Sequence, residues 1–277
     1  MILVIGGTGL IGAGLVLYAE RIGLSCFHTS RKNGAKFHMD LADPPDKWQI
    51  PSGIETAIIC ASVTGIANCE AAPAATSKIN VHACKELALR LSERGAKITF
   101  LSSSLVFTPG TMPPCEITNP NPTKEYGRQK LAMEDYLLSN FPDCRIIRPT
   151  KVISPSMPLF SKWIESIHHG QPIEAFSDLY FSPIGLNPVT ACIMEIAQGK
   201  ESGIFHLAAS DSISYADAAR WILARVGAAA DLLCVIKAPS ANTPNSARLA
   251  CNRTIRLTNF EPVSSMQNLE ESWSHQK

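Results

Sequence analysis

The chain has 277 residues, of which 45% are hydrophobic and 18% charged, and its formal net charge is +1 at pH 7. These values disfavour a disordered tail or a polyanion-binding surface, so we expect a globular protein with no nucleic-acid partner. The nine cysteines are scattered singly, with no C-x-x-C pair and no cysteine–histidine cluster at metal-ligand spacing. This pattern predicts free thiols in a reducing, cytoplasmic environment and no metal site.

The first residues predict a strand, a glycine turn and a helix. Residues 1–5 are an apolar run, residues 6–9 interrupt it, and residues 10–22 have helical spacing before Gly23. The opening segment has no basic region and is interrupted by five glycines, so we expect no signal peptide. No later stretch is long enough to cross a bilayer, so no membrane partner is expected.

Strands and helices continue to alternate along the first half of the chain. Apolar runs predict strands over residues 25–29, 57–60, 97–101 and 145–148. Helical spacing marks residues 78–92 and 124–138. Repeated βα units predict an α/β fold with a doubly wound parallel sheet (Rossmann), covered by helices on both faces.

The pattern loosens after Pro149, where prolines become frequent. Further helices are predicted over residues 160–168, 188–197 and 215–226, and the tail after Ala238 has a loop-like composition up to residues 265–274. We therefore predict a dinucleotide-binding domain over residues 1–150 and a smaller C-terminal α/β substrate lobe over residues 151–277. Some strands of the second lobe could return to the first sheet.

A glycine motif, Gly6-Gly7-Thr8-Gly9-Leu10-Ile11-Gly12, lies between the first strand and the first helix. Backbone N–H groups and the helix dipole at this position can receive a pyrophosphate, and the absence of Cβ atoms lets the backbone approach it. A tight turn without a ligand is the alternative. The position directly after a strand favours a cofactor site.

The end of the second strand bears on the choice of cofactor. NAD sites usually have an acid there to accept the ribose hydroxyls, whereas this chain has Ser30-Arg31-Lys32. The basic pair could be a solvated turn, but its position favours binding of a 2′-phosphate. We predict NADP, with NAD left open.

Tyr126 and Lys130 are four residues apart in a predicted helix. This spacing places their Cβ atoms about 5 to 6 Å apart on one face, where the ammonium favours the ionised phenol. Such a tyrosine can donate a proton to a carbonyl oxygen that receives a hydride. The run Ser102-Ser103-Ser104 follows the fourth apolar strand, so its hydroxyls should lie at the ligand-binding edge of the sheet.

With these motifs the sequence resembles the extended short-chain dehydrogenase/reductase superfamily, over almost the whole chain. The resemblance also rests on Asp40-Leu41, on Cys60-Ala61-Ser62 after the fourth strand of that fold, on Ile79-Asn80-Val81 and on Arg148-Pro149. It implies that Ser103 polarises the carbonyl, that Tyr126 is the acid/base, and that Lys130 binds ribose and favours ionisation of Tyr126. It also implies that Pro149 to Val152 form part of the wall around the nicotinamide. The cofactor-binding residues that it implies, together with those from the glycine motif and the second strand, are Gly6, Thr8, Gly9, Leu10, Ile11, Gly12, Ser30, Arg31, Asp40, Leu41, Cys60, Ala61, Ser62, Asn80, Tyr126, Lys130, Pro149 and Val152.

Within this superfamily the chain looks most like the dTDP-4-dehydrorhamnose reductases and related nucleotide-sugar proteins. The resemblance is carried by residues 102–107, 203–207 and 243–246. The chain departs from that pattern at Ser104, where an acid is usual, and at Asn187-Pro188, where a valine–aspartate pair is common. A 4,6-dehydratase needs an Asp-Glu pair after the catalytic hydroxyl, so Ser104-Leu105 disfavours that activity.

The resemblance implies an NAD(P)-dependent enzyme that reduces a keto group on a nucleotide-linked sugar, its small-molecule substrate. An epimerase that retains NAD is the alternative. A third hypothesis is a regulatory subunit that only senses the cofactor, but such relatives have usually lost the tyrosine–lysine pair. Which sugar and nucleotide bind, and whether the protein is a homodimer, stay open.

Overall fold

The structure is a computed structural model that describes residues 1–32, 34–108, 110, 112–239 and 247–274. Residues 243–246, which carry part of the narrower resemblance, lie outside the described residues. The strands in chain order are β1 (Ile2–Ile5), β2 (Cys26–His28), β3 (Thr56–Ile59), β4 (Lys97–Leu101), β5 (Arg145–Pro149), β6 (Lys151–Ile153), β7 (Ile173–Phe176), β8 (Tyr180–Phe181), β9 (Pro183–Gly185), β10 (Gly203–Leu207), β11 (Ile213–Ser214) and β12 (Leu233–Ile236).

The helices in chain order are α1 (Leu10–Arg21), α2 (Ile66–Ala71), α3 (Pro73–Ser77), α4 (Cys84–Glu93), α5 (Glu125–Asn140), α6 (Pro158–His168), α7 (Leu186–Gln198), α8 (Tyr215–Arg225), α9 (Asn252–Leu257) and α10 (Ser265–Ser274). Short 3₁₀ turns cover Pro45–Lys47, Ser104–Val106 and Ala230–Leu232, and a π-helical segment over Lys78–Ala83 leads into α4. Within the described residues, no helix is both long and apolar enough to cross a bilayer.

Six parallel strands form the main sheet in the order β10-β5-β4-β3-β1-β2. Successive residues of β1 point to opposite faces, so Val4 packs with Leu15 of α1 in one core cluster. Leu3 packs with Leu87 of α4 and Met133 of α5 in the other cluster. Because both faces of the sheet are covered by helices, the predicted doubly wound α/β fold is confirmed.

The second half of the chain builds a smaller cluster of its own. Its core includes Phe160 and Trp163 of α6, Ile222 of α8 and Trp273 of α10. The strand pairs β6–β9, β7–β12 and β8–β11 are two-stranded sheets beside the main one. In contrast, β10 pairs in parallel with β5 and extends the main sheet.

Two details differ from the sequence prediction. The motif Cys60-Ala61-Ser62 follows the third strand, not the fourth, because the described residues between β2 and β3 contribute only one isolated bridge, Ser30 to His38. The helix predicted over residues 78–92 is not uniform, since its first turns are π-helical. The π-helical segment carries Asn80, whose side chain donates hydrogen bonds to Val63 O and Gln129 Oε1.

Candidate active site

A cleft of about 440 Å³ lies at the carboxyl ends of the main-sheet strands. This edge is where ligands bind in open parallel sheets. Of the predicted site residues only Asn80 is missing from its walls, which are formed by Ile5, Gly6, Thr8, Gly9, Leu10, Ile11, Gly12, Ser30, Arg31, Met39, Asp40, Leu41, Cys60, Ala61, Ser62, Val63, Thr64, Ile79, Leu101, Ser102, Ser103, Tyr126, Lys130, Pro149, Thr150, Lys151 and Val152.

The glycine turn forms the wall next to β1 and α1. Gly6 has φ +85°, and a Cβ on Gly12 would lie 2.2 Å from the Gly6 carbonyl oxygen, so α1 can begin there only without a side chain. Ala13 N makes the first intrahelical bond, to Gly9 O at 2.8 Å. The three preceding amides of α1 therefore have no intrahelical acceptor and can serve an anion.

Ser30 and Arg31 form the end of the cleft beyond β2. The Ser30 backbone is held on both sides, because its N–H donates to Phe37 O at 3.2 Å and its carbonyl accepts from Met39 N at 3.0 Å. The Ser30 hydroxyl accepts from Lys32 N at 3.1 Å. Arg31 is exposed and has no carboxylate partner among the described residues, which leaves its guanidinium free to bind an anion.

Asn80 lies behind the wall of the cleft. Its side-chain carbonyl accepts from Ser62 Oγ at 2.9 Å and from Val63 N at 2.7 Å. Its amide donates to Val63 O at 3.0 Å and to Gln129 Oε1 at 2.8 Å. The residue is 2% exposed, so it braces the segment after β3 and joins it to α5.

Tyr126 and Lys130 lie in the first turns of α5 and reach the cleft together. Both are buried, with exposed fractions of 8% and 3%. Lys130 Nζ donates to Leu101 O at 2.8 Å and lies 5.6 Å from the centre of the Tyr126 ring and 4.6 Å from that of Phe100. The ammonium is thus anchored to the end of β4 beside the phenol.

Ser103 follows β4 and caps the short 3₁₀ turn. Its hydroxyl oxygen accepts from Leu105 N at 3.2 Å, which keeps its O–H proton available for donation into the cleft. Ser102, one residue earlier, donates its hydroxyl to Glu134 instead. The structure therefore brings Ser103, Tyr126 and Lys130 to one cleft and separates the roles of the two adjacent serines.

A buried charged network lies directly behind Ser102. Arg148 Nη2 lies 2.5 Å from Glu134 Oε2, and Arg148 Nε donates to Glu134 Oε1 at 3.0 Å. Both side chains are buried, with exposed fractions of 2% and 0%. Arg148 Nη1 is 3.3 Å from His206 Nε2, and His206 Nδ1 is 3.1 Å from Ala250 O. Burial, together with the Arg148 charge, lowers the pKa of His206 to about 3, so the neutral ring donates through Nδ1 and accepts from Arg148.

Sequence reasoning missed Glu134 and His206. Glu134 has a signal, because it continues the four-residue spacing of Tyr126 and Lys130 along α5. His206 has none, since only the three-dimensional fold joins β10 to β5. Thr150 lies within the predicted segment Pro149 to Val152, but the burial of its hydroxyl without a partner among the described residues depends on the fold.

Cys60 is not a nucleophile in this site. It lies in the cleft wall near Lys130, yet burial raises the pKa of its thiol to about 12. The thiol is therefore protonated at neutral pH and unreactive. Within the described ranges, no group of three or more histidine, cysteine or acidic side chains is placed to hold a metal ion.

These features fit a dinucleotide. The free amides at the start of α1 and the absence of a side chain at Gly9 would receive a pyrophosphate, and Ser30 and Arg31 stand where the adenosine ribose would lie. At the opposite end, Thr150 Oγ1 is a buried polar atom that lacks a partner in the described part of the chain.

Comparison with known proteins gives consistent matches. The model of the RmlD substrate binding domain family matches residues 1–276. A probable low-salt glycan biosynthesis reductase of Haloferax volcanii is 27% identical over 189 residues, which cover 65% of this chain and 62% of that relative. The chain thus spans less than two thirds of the length of that relative.

Two further matches carry more specific names. The dTDP-4-dehydrorhamnose reductase of Sinorhizobium fredii is 26% identical over 222 residues, covering 73% of this chain and 75% of the relative. The crystal structure of dTDP-4-dehydrorhamnose reductase from Bacillus anthracis in complex with NADP superimposes with a TM-score of 0.84. It is 19% identical and covers 99% of this chain and 97% of its own, which shows a shared fold.

Proposed function

The chain belongs to the RmlD substrate binding domain family, and we propose that it is an NAD(P)-dependent reductase of a keto group on a nucleotide-linked sugar. The observation that carries this proposal is the meeting of Ser103, Tyr126 and Lys130 in the cleft that the glycine turn also lines. A hydroxyl donor, a phenol and an ammonium beside a phosphate-binding turn are the groups that carbonyl reduction requires.

The bound cofactor would supply the hydride that reduces the carbonyl carbon. Ser103 donates a hydrogen bond to the carbonyl oxygen and stabilises the negative charge that develops there. Tyr126 transfers its phenolic proton to that oxygen, and the alcohol forms. Lys130, fixed by Leu101 O at 2.8 Å, stabilises the phenolate until a proton from solvent restores the phenol.

The cofactor that we propose is NADP. Arg31 would form charge-assisted hydrogen bonds to the 2′-phosphate, and Ser30 offers a hydroxyl beside it. The Bacillus anthracis structure contains NADP, which agrees with this choice. Arg31→Ala should raise the Kd for NADPH by roughly tenfold to a hundredfold and leave the Kd for NADH almost unchanged.

Calorimetric titration of both cofactors against both proteins measures this preference. Lys32→Ala is a matched control, because Lys32 is an adjacent exposed cation that does not line the cleft. Its effect on the Kd for NADPH should be below about threefold. Wild-type affinities for NADPH and NADH that agree within about twofold would instead favour NAD and the epimerase alternative.

The substrate that we propose is a nucleotide-linked 4-keto-6-deoxy sugar, as the names of the relatives suggest. Among the described residues that line the cleft, the only acid is Asp40, at the end opposite Pro149 and Thr150. The additional proton transfers of a dehydratase therefore have no acidic side chain beside Ser103.

All nine cysteines are free thiols, which supports the cytoplasm as the compartment that we propose.

The direct test is to incubate the protein with dTDP-4-dehydrorhamnose and NADPH and to follow NADPH oxidation with product analysis. One NADPH should be consumed for each sugar reduced. Arg90→Ala is a suitable control, since Arg90 lies on α4 outside the cleft, in a partly exposed ion pair with Glu86. Interconversion of nucleotide-sugars without net oxidation of NADPH would refute the reductase and identify an epimerase.

A further inference from the structure

Gly127, the residue that follows Tyr126 in α5, lies against the turn that follows Ser103. A Cβ at Gly127 would be 2.0 Å from Leu105 O and 3.0 Å from Pro122 Cβ. The first distance is the shortest of its kind among the described glycines, and it involves a backbone atom, which cannot rotate away as a side chain can. The glycine therefore allows an approach of α5 to this turn that no other residue type permits.

The Leu105 backbone connects this contact to Ser103. The Leu105 N–H donates to Ser103 Oγ at 3.2 Å, and the Leu105 carbonyl oxygen is the atom that faces Gly127. The turn is also tied to the segment before α5, because Val106 O accepts from Asn121 N at 3.0 Å. One residue thus contacts the Ser103 hydroxyl through its N–H and the catalytic helix through its carbonyl.

The first turn of α5 is fastened to α2 and α3 as well. Glu125 N donates to Glu70 Oε1 of α2 at 2.8 Å, so another helix supplies the N-terminal cap. Gln129 is buried, and its Nε2 donates to Thr76 Oγ1 of α3 at 2.9 Å. A side chain at position 127 would therefore have to displace either this helix or the turn, and each displacement changes the separation of the two hydroxyls in the cleft.

We propose that Gly127 is a positioning residue that sets the separation of the Ser103 and Tyr126 hydroxyls, an inference that rests on the proposed reductase function. In that reaction both hydroxyls bind one carbonyl oxygen, so their separation must match a single acceptor. Lys130 lies on the same helix as Tyr126 and moves with it, so the contact governs where Ser103 lies relative to the tyrosine–lysine pair. A misplacement of about 1 Å in such an arrangement can lower a rate about a hundredfold.

The primary test is Gly127→Ala, the smallest change that introduces a Cβ. With dTDP-4-dehydrorhamnose and NADPH, kcat should fall by about tenfold to a hundredfold, while the Kd for NADPH and the KM of the sugar stay within about threefold of wild type. Gly14→Ala is a matched control, because Gly14 is a buried helical glycine outside the cleft whose Cβ would meet Thr190 Cγ2 at 2.8 Å. Its kcat should stay within about twofold of wild type.

A double-mutant cycle with Ser103→Ala separates position from general damage to the fold. Ser103→Ala alone should lower kcat by roughly a hundredfold to a thousandfold. In that background Gly127→Ala should lower kcat by less than about threefold more, because the separation that the glycine sets no longer serves a second hydroxyl. A structural defect would instead lower kcat by the same factor in both backgrounds.

Glu70→Ala changes the same geometry without adding an atom to the contact. It removes the cap of Glu125 N, and Glu70 is exposed and does not line the cleft, so the first turn of α5 loosens with little risk to folding. The kcat should fall by about threefold to tenfold when Ser103 is present, and by less than about twofold in the Ser103→Ala background. This variant decides the question if Gly127→Ala does not fold, which calorimetric counting of NADPH sites reveals.

The outcomes separate this inference from the proposed function. If the wild type oxidises no NADPH with dTDP-4-dehydrorhamnose, both fail. If the wild type is active and Gly127→Ala matches it, the inference alone is refuted. Equal losses in the two backgrounds, from Gly127→Ala or from Glu70→Ala, would also refute it, and so would an effect confined to the KM of the sugar.

Discussion

Glu134 and Arg148 form a buried ion pair whose carboxylate also accepts the hydroxyl of Ser102. The pair joins α5, which carries Tyr126 and Lys130, to β5 and to the end of β4, where Ser103 lies. Neither Glu134 nor Arg148 lines the cleft. The ion pair therefore affects catalysis by holding α5, β5 and the end of β4 in position. Isolated buried charges are costly, which makes each partner dependent on the other.

Glu134→Gln should therefore destabilise the protein strongly. The change leaves the Arg148 guanidinium buried without a counter-charge, and we expect a loss of about 3 kcal/mol or more in the free energy of unfolding. Urea denaturation measures it. Glu86→Gln is the matched control, because it breaks the partly exposed, solvent-accessible Glu86–Arg90 pair and should cost less than about 1 kcal/mol. Equal effects of the two changes would contradict the structural role of the buried pair.

His206 makes stability dependent on pH. Its pKa is lowered to about 3 in the folded protein by burial and by the Arg148 charge, whereas an unfolded histidine titrates near pH ~6.5. Between these values the unfolded chain binds more protons, so stability falls as pH decreases through this window. From pH 7 to pH 5 this group should cost about 2 kcal/mol.

His206→Gln tests that dependence by removing the titrating ring while keeping a donor and an acceptor. Urea denaturation at pH 7 and pH 5 should show a loss of stability that is smaller in the variant by about 2 kcal/mol. His169→Gln is the control, since His169 is exposed and near the end of α6. A variant with the full wild-type pH dependence would assign the effect to other groups.

Tyr126→Phe isolates the proton-transfer step. Phenylalanine keeps the buried ring, and the phenol makes no hydrogen bond with the described residues that the change would remove. We expect kcat to fall by roughly two to four orders of magnitude while the Kd for NADPH stays within about threefold of wild type. Steady-state kinetics and calorimetry measure the two quantities, and near-normal turnover would remove Tyr126 from the mechanism.

The local sequence patterns predict the sheet and most of the cleft well. The strand-turn-helix of β1 and α1 is encoded within the first 21 residues, and the spacing of Tyr126 and Lys130 fixes their common face. Such features depend on neighbours in sequence. The sequence does not determine that β10 returns to the main sheet, because a short apolar strand does not specify its pairing partner.

The remaining features depend on contacts between distant segments. Asn80 is part of a recognisable motif, but its bonds to Val63 and Gln129 arise only when α5 packs on the π-helical segment. The Thr150 hydroxyl has no partner among the described residues, which depends on how distant segments pack around it. No periodicity or spacing encodes either environment, so assignment of Asn80 to cofactor binding stays a prediction.

Gly9→Val tests the pyrophosphate site with little risk to the fold. A Cβ at Gly9 would meet only the Gly6 carbonyl oxygen, at an ordinary 3.5 Å, and its backbone is extended, with φ −78° and ψ 167°. Loss of a favourable N-cap residue should cost about 1 kcal/mol. The valine side chain would nevertheless fill the space that the pyrophosphate needs, so the Kd for NADPH should rise at least about a hundredfold.

Gly12→Ala provides the contrast, because its Cβ would lie 2.2 Å from Gly6 O and should destabilise the turn itself. Circular dichroism and calorimetry distinguish the two effects, and a folded Gly9→Val protein with wild-type affinity for NADPH would place the pyrophosphate elsewhere.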